Sequence, residues 1–188
     1  GRILIVRQIS PNPSGLAVHG GEIFVVDGER GRLRKVAADG TITTVVGPGV
    51  ERPGGLERGE RVPASLYGLS DGGLAIDATG RPYFTRNNAY QVLRLAADGK
   101  VEAPIGAPPS IWGAAQVTNP TTILTDAPKD GAPAADAHLF LPAGLAFDSH
   151  GALYVADLQS FRVLKVTGLD GPNPTVSLFA GVGGAAVV

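Results

Sequence analysis

Short apolar runs, alternating with polar or small residues, recur along the whole chain and are separated by turns rich in Gly, Asp and Asn. Alternation of period two, bounded by such turns, predicts short half-buried strands rather than helices. The pattern returns three times: GLAVHGGEIFVVDGERGRLRKV from Gly15, GLAIDATGRPYFTRNNAYQVLRL from Gly73 and GLAFDSHGALYVADLQSFRVLKV from Gly144. The connections between copies vary in length while the unit changes by a single residue, the first copy being one shorter at its first turn, which is the signature of a repeat architecture.

Each unit predicts four antiparallel strands. Gly-Leu-Ala-apolar opens the first. Asp77-Ala78-Thr79-Gly80 and Asp148-Ser149-His150-Gly151 supply a tight turn into the second. A polar turn leads to the third, and Asp39-Gly40 or Asp98-Gly99 leads to the fourth. The third unit has a longer last turn, Leu169 to Pro174. Four antiparallel strands per repeat make a β-propeller blade. Each first strand puts Gly and Ala on one face (Gly15 and Ala17, Gly73 and Ala75, Gly144 and Ala146) and larger residues on the other, as expected beside a crowded central axis. The second strands are apolar on both faces, which suits a sheet held between two others. The expected fold is therefore all-β, a propeller segment of about three four-stranded blades at 13–47, 71–106 and 142–180. Residues 2–9 form a strand completing a blade edge, and inter-blade loops run over 47–66 and 106–130. The competing fold is a β-sandwich whose hairpins are alike by chance.

The third copy carries a longer pattern: Asp130-Gly131-Ala132-Pro133-Ala134, then Ala137, Leu139, Leu141 to Asp148, Leu153 to Asp157, and Arg162 to Val166. This resembles the NHL repeat of secreted bacterial type, including its Gly-Asp-Gly-Gly-Pro-Ala box between blades. The second copy keeps part of the box, Val62-Pro63-Ala64-Ser65-Leu66. The resemblance implies a closed ring, usually of six or so blades, and an extracytoplasmic location. It implies no single activity: most members bind proteins or nucleic acid, or sense ligands, and a related lyase group is metal-dependent.

Composition narrows the function. The chain has 188 residues, 44% hydrophobic and 18% charged, with a formal net charge of −1, so no basic footprint for nucleic acid is present. Cysteine is absent, which removes disulfides, thiolate metal sites and Cys nucleophiles. The longest aliphatic run, Ile3 to Val6, is too short to cross a bilayer.

Candidate chemistry is sparse. His19 and His150 occupy comparable turns of different units, and His138 precedes a strand, so no zinc spacing exists. No serine lies in a Gly-x-Ser-x-Gly elbow. No catalytic residue or cofactor is expected. A weak alternative is Ca²⁺ held by Asp71, Asp77, Asp126, Asp130, Asp136 and Asp148, although their spacing matches no calcium loop and Asp is common in turns.

Binding residues are expected in the loops. Arg52, Arg58 and Arg61 lie in the first long loop, and Trp112, the single tryptophan, lies in the second. Trp and Arg are over-represented at interface hot spots. Arg86, Asn87, Asn88 and Tyr90 mark a distinct turn surface in the second copy. Asp27 and Arg32 pair with the same separation as Asp157 and Arg162, whereas the second copy has Arg86 and Gln91 instead. Both members change together, which predicts a structural pair across an exposed turn, worth about 0–1 kcal/mol.

Three blades form an arc with two apolar end faces, and such faces seek a partner. The expected partners are the remaining blades of a longer chain, a second copy completing the ring, or another subunit. The leading functional expectation is a non-catalytic binding or scaffolding module presenting inter-blade loops to a protein or small molecule, with no nucleic-acid binding or membrane insertion. The alternatives are a metal-dependent lyase or hydrolase using the central channel and further blades, and a structural subunit of an extracellular assembly.

Overall fold

The computed structural model describes residue 9 and residues 13–49, 55–86, 90–107 and 128–181. Three antiparallel sheets stand side by side. Blade 1 comprises β1 (Gly15–His19), β2 (Glu22–Asp27), β3 (Arg32–Val36) and β4 (Ile42–Val46), in that spatial order. Blade 2 contains β5 (Val62–Pro63), β6 (Leu74–Ile76), β7 (Pro82–Arg86), β8 (Gln91–Leu95) and β9 (Lys100–Ile105), ordered β5-β9-β8-β7-β6. Blade 3 repeats this with β10 (Ala132–Pro133), β11 (Pro142–Phe147), β12 (Leu153–Asp157), β13 (Arg162–Thr167) and β14 (Thr175–Gly181), ordered β10-β14-β13-β12-β11. The innermost strands touch in succession, β1 with β6 and β6 with β11. The molecule is thus an all-β propeller segment of three blades.

Local chemistry sets the first hairpins. Thr79 and Arg81 both donate backbone N–H to Asp77 Oδ1 at 2.9 Å, and His150 and Ala152 do the same to Asp148 Oδ1 at 2.9 Å. These Asx turns fold the chain back at the spacing a two-strand hairpin needs.

The two faces of each inner strand do different work. Ala17 packs towards Leu74 and Ile76 in the core between blades 1 and 2, with Phe24, Val26, Leu33 and Phe84. Ala75 packs towards Leu145 and Phe147 in the core between blades 2 and 3, with Tyr83, Val92, Leu153 and Leu164. The small face of one blade therefore meets the large face of the next. Glycine permits the approach: a Cβ on Gly15 would stand 2.7 Å from Gly72 O, and one on Gly73 would stand 2.0 Å from Ala143 O. At Gly144 a Cβ meets Ala156 Cβ of its own sheet, at 3.3 Å.

At the ends of the arc these faces lie open. Leu16 and Val18, the large face of β1, are 67% and 64% exposed. Gly144 and Ala146, the small face of β11, are exposed as well.

The Pro-Ala boxes add a short edge strand to two of the four-strand units. Val62 pairs with Val101 and Pro63 with Lys100; Ala132 pairs with Val176 and Pro133 with Thr175. Each box adds a fifth, outermost strand to the blade it precedes, then makes a 3₁₀ turn (64–66 or 134–136). Its alanine straddles two blades. Ala64 donates to Gly99 O of its own blade at 2.9 Å and accepts from Gly47 N of blade 1 at 2.8 Å. Ala134 donates to Pro174 O at 2.9 Å and accepts from Gly106 N of blade 2 at 3.0 Å. The strand expected over residues 2–9 lies outside the described residues, apart from Ile9.

Candidate functional site

The segment ahead of blade 2 builds one wall of a groove at the rim. Leu56 anchors it: fully buried, its N–H donates to Gln91 Oε1 at 2.9 Å and its carbonyl accepts from Gln91 Nε2 at 2.9 Å. A tight turn follows, in which Glu60 N donates to Glu57 O at 2.9 Å and Glu57 N to Glu60 Oε2 at 3.0 Å. The turn projects Arg58 towards blade 3 and holds Arg61 against the edge of blade 2. Arg58 pairs with Asp136, across the blade boundary. Arg61 Nη2 donates to Asp98 Oδ1 at 2.9 Å and Arg61 Nε to Glu102 Oε2 at 2.9 Å.

Arg94 closes the floor. Its Nε donates to Glu102 Oε1 at 2.9 Å, and its Nη1 donates to Tyr83 Oη at 3.0 Å and to Leu169 O of blade 3 at 2.6 Å. The guanidinium also lies 5.7 Å from the Tyr83 ring centre. Burial alone would lower the Arg94 pKa, but the bonds to Tyr83 and Glu102 outweigh it and raise the pKa above the ordinary value. Burial pushes the Tyr83 phenol up, despite Arg94 beside it. The resulting groove, of about 330 Å³, is lined by Arg58, Arg61, Arg94 and Glu102 on one side and by Leu169, Pro172 and Pro174 on the other.

Each arginine of this groove meets an acid of the same rim. The site therefore offers donors and acceptors of both signs above apolar walls. Among the described residues no three His, Asp or Glu gather where they could hold a metal ion. Of the six Asp residues weighed for Ca²⁺, Asp77 and Asp148 serve their own turns, Asp136 pairs with Arg58, and Asp126 lies outside the described residues.

Of the residues singled out from sequence, Arg58 and Arg61 come together. Arg86 does not join them, because it is 1% exposed, donates from Nη1 to Tyr67 Oη at 3.0 Å and lies 5.6 Å from that ring's centre. Buried there, it cannot reach a partner, which corrects its placement on a binding surface. Tyr90 stacks on Phe140 across the boundary between blades 2 and 3, with ring centres 5.9 Å apart. Arg52, Asn87, Asn88 and Trp112 lie outside the described residues.

The pair Asp157 and Arg162 is joined at 3.1 Å and buried, not exposed as expected. Asp27 and Arg32 stand opposite each other on β2 and β3, as do Arg86 and Gln91 on β7 and β8. Asp27 too is fully buried. Sequence reasoning missed Arg94 and Glu102. A signal existed: every third strand carries a basic residue, Lys35, Arg94 or Lys165, opposite an aromatic one, Phe24, Tyr83 or Tyr154.

No family model matches the chain. Over 158 residues it is 29% identical to teneurin-1 of Caenorhabditis elegans, spanning 77% of this chain but only 5% of that protein. Among solved structures, it resembles a chain of a nidogen/laminin complex (TM-score 0.58, 19% identity, 96% of this chain and 52% of that one). It also resembles virginiamycin B lyase of Staphylococcus aureus in its catalytically inactive form with quinupristin (TM-score 0.53, 18% identity, 96% and 45%). A third likeness is to a gluconolactonase of Xanthomonas campestris (TM-score 0.54, 15% identity, 90% and 48%). Binding modules and enzymes share this architecture, and the described chain has the β-propeller fold.

Proposed function

We propose that this chain is a non-catalytic binding and scaffolding segment of an extracytoplasmic NHL-type propeller, and that its rim groove between blades 2 and 3 receives an extended segment of a protein partner. The observation that carries this reading is the convergence of Arg58 and Arg61 with Arg94, Glu102 and the Gly171–Pro174 turn around one groove of about 330 Å³. Rigid blades hold the walls, and internal ion pairs pre-orient the arginines, which lowers the ordering cost on binding. The structural likeness to a chain of a nidogen/laminin complex, at 19% identity, supports the propeller fold. The likeness to a lyase and a gluconolactonase, below 20% identity, carries the fold alone.

The test is selection of a phage-displayed random peptide library on the chain. Selected peptides should lose binding to an Arg58→Glu, Arg61→Glu variant whose urea midpoint is unchanged. Peptides that bind this variant undiminished, or a library yielding no binder, would overturn the reading.

A further inference from the structure

Blade 3 ends in a groove whose occupant is specified by the two junctions already present in the molecule. At the first junction, Gly47 (φ +86°) donates to Ala64 O at 2.8 Å, and Leu69 N donates to Gly31 O at 3.2 Å. At the second, Gly106 (φ +103°) donates to Ala134 O at 3.0 Å, Ala107 N donates to Ala137 O at 2.8 Å, and Tyr90 stacks on Phe140. Gly47 sits over Gly31, and Gly106 sits over Tyr90. Gly31 and Tyr90 share the left-handed conformation, with φ +63° and +54°.

Blade 3 repeats this arrangement. Gly181 has φ +89° and sits over Phe161, which has φ +51°. The surroundings differ. Val46 and Ile105, just before the first two glycines, are 0% exposed, whereas Ala180 and Gly181 are exposed. Phe161 and Leu158 are 56% and 59% exposed and flank an apolar groove of about 260 Å³ with Ala156, Val163 and Gly181.

We propose that this groove is a docking site for the Pro-Ala box of a further blade. The box alanine carbonyl lies against the Gly181 backbone, as Ala64 and Ala134 do against Gly47 and Gly106. The residue six positions after that alanine covers Phe161, as Phe140 covers Tyr90. Continuity with two existing junctions selects this occupant over a second copy of the chain. A second copy would present β1, and no Pro-Ala dipeptide precedes Gly15 in the sequence. This inference is independent of the rim groove, since the two sites share no residue.

The experiment uses the whole chain and a fluorescent synthetic peptide of residues 129–141, which carries the second box. Anisotropy should show saturable one-to-one binding. Phe161→Asp should weaken it by about tenfold or more without changing the urea midpoint, because the side chain is exposed. A peptide with Ala134→Glu should not bind. Absence of saturable binding, or equal binding to the Phe161→Asp chain, would overturn the proposal. So would a dimer in sedimentation velocity that Leu16→Asp disrupts, since the occupant would then be a second copy.

Discussion

Asp157 and Arg162 face each other across β12 and β13 with an Oδ2 to Nε distance of 3.1 Å, and both are buried. Asp157 Oδ1 also accepts from Phe140 N at 2.8 Å and Leu141 N at 3.0 Å, and Arg162 donates to His138 O. The pair thus ties the chain leading into β11 to the turn between β12 and β13. Removing one partner strands a buried charge and two backbone donors. Asp157→Ala should cost about 3–5 kcal/mol in urea denaturation, and Asp157→Asn, which keeps an acceptor oxygen, should cost less. A loss within the range of an exposed pair, about 0–1 kcal/mol, would show that burial of the pair does not set its value.

Gly73 and Gly144 are equivalent in sequence and unlike in surroundings. A methyl group on Gly73 meets Ala143 O at 2.0 Å, so blades 2 and 3 must part or the strand must shift. On Gly144 it meets Ala156 Cβ at 3.3 Å, on an exposed face. Gly73→Ala should therefore destabilise by about 1–3 kcal/mol or more, the ordinary cost of overpacking. Gly144→Ala should lie within about 0.5 kcal/mol of the parent. Thermal unfolding of both variants compares them directly, and equal losses would contradict the inter-blade contact.

Much of this arrangement was legible in the sequence because each blade is local. The alternation, the Asp-Gly turns at Asp39 and Asp98 and the Asx turns at Asp77 and Asp148 specify hairpins within one unit, and the small and large faces of the first strands follow from parity alone. What was not legible depends on contacts beyond the local hairpin. That Pro63 and Pro133 pair at the outer edge of a sheet requires β9 and β14 to be in place. That Arg86 is buried requires Tyr67, which reaches it from the connection ahead of blade 2. Arg94 and Glu102 escaped because a charged pair within apolar strands reads as solvent-facing until Tyr83 and Leu169 O enclose it.

Arg86 yields a test of that enclosure. Its guanidinium replaces the buried acid of the other two blades, and the Tyr67 hydroxyl accepts from it at 3.0 Å. Tyr67→Phe keeps the ring under the cation and deletes the acceptor. The expected loss is about 1–3 kcal/mol, read from the urea midpoint at constant slope. Tyr67→Leu, which also removes the ring face, should lose more.

Acid sensitivity should trace to the first hairpin of blade 2. Burial works against ionisation of Asp77, yet its carboxylate accepts from Arg81 N at 2.9 Å, from Thr79 Oγ1 at 2.7 Å and from Arg81 Nε at 2.6 Å, and its pKa is lowered. A carboxyl whose folded pKa lies below its unfolded value, about 3.9, contributes stability that is fully present above that value. The contribution is lost as pH falls through the folded pKa, because the folded state then takes up the proton the unfolded state already holds. Arg81 also pairs with Asp170 of blade 3, so protonating Asp77 loosens a tie between blades as well as a turn. The parent chain should lose stability as pH falls below about 4, the unfolded carboxyl's range, and Asp77→Asn, which cannot titrate, should show a shallower slope over that window. Urea midpoints measured across the window decide it: curves that run parallel for parent and variant would mean that Asp77 has the same proton affinity in both states.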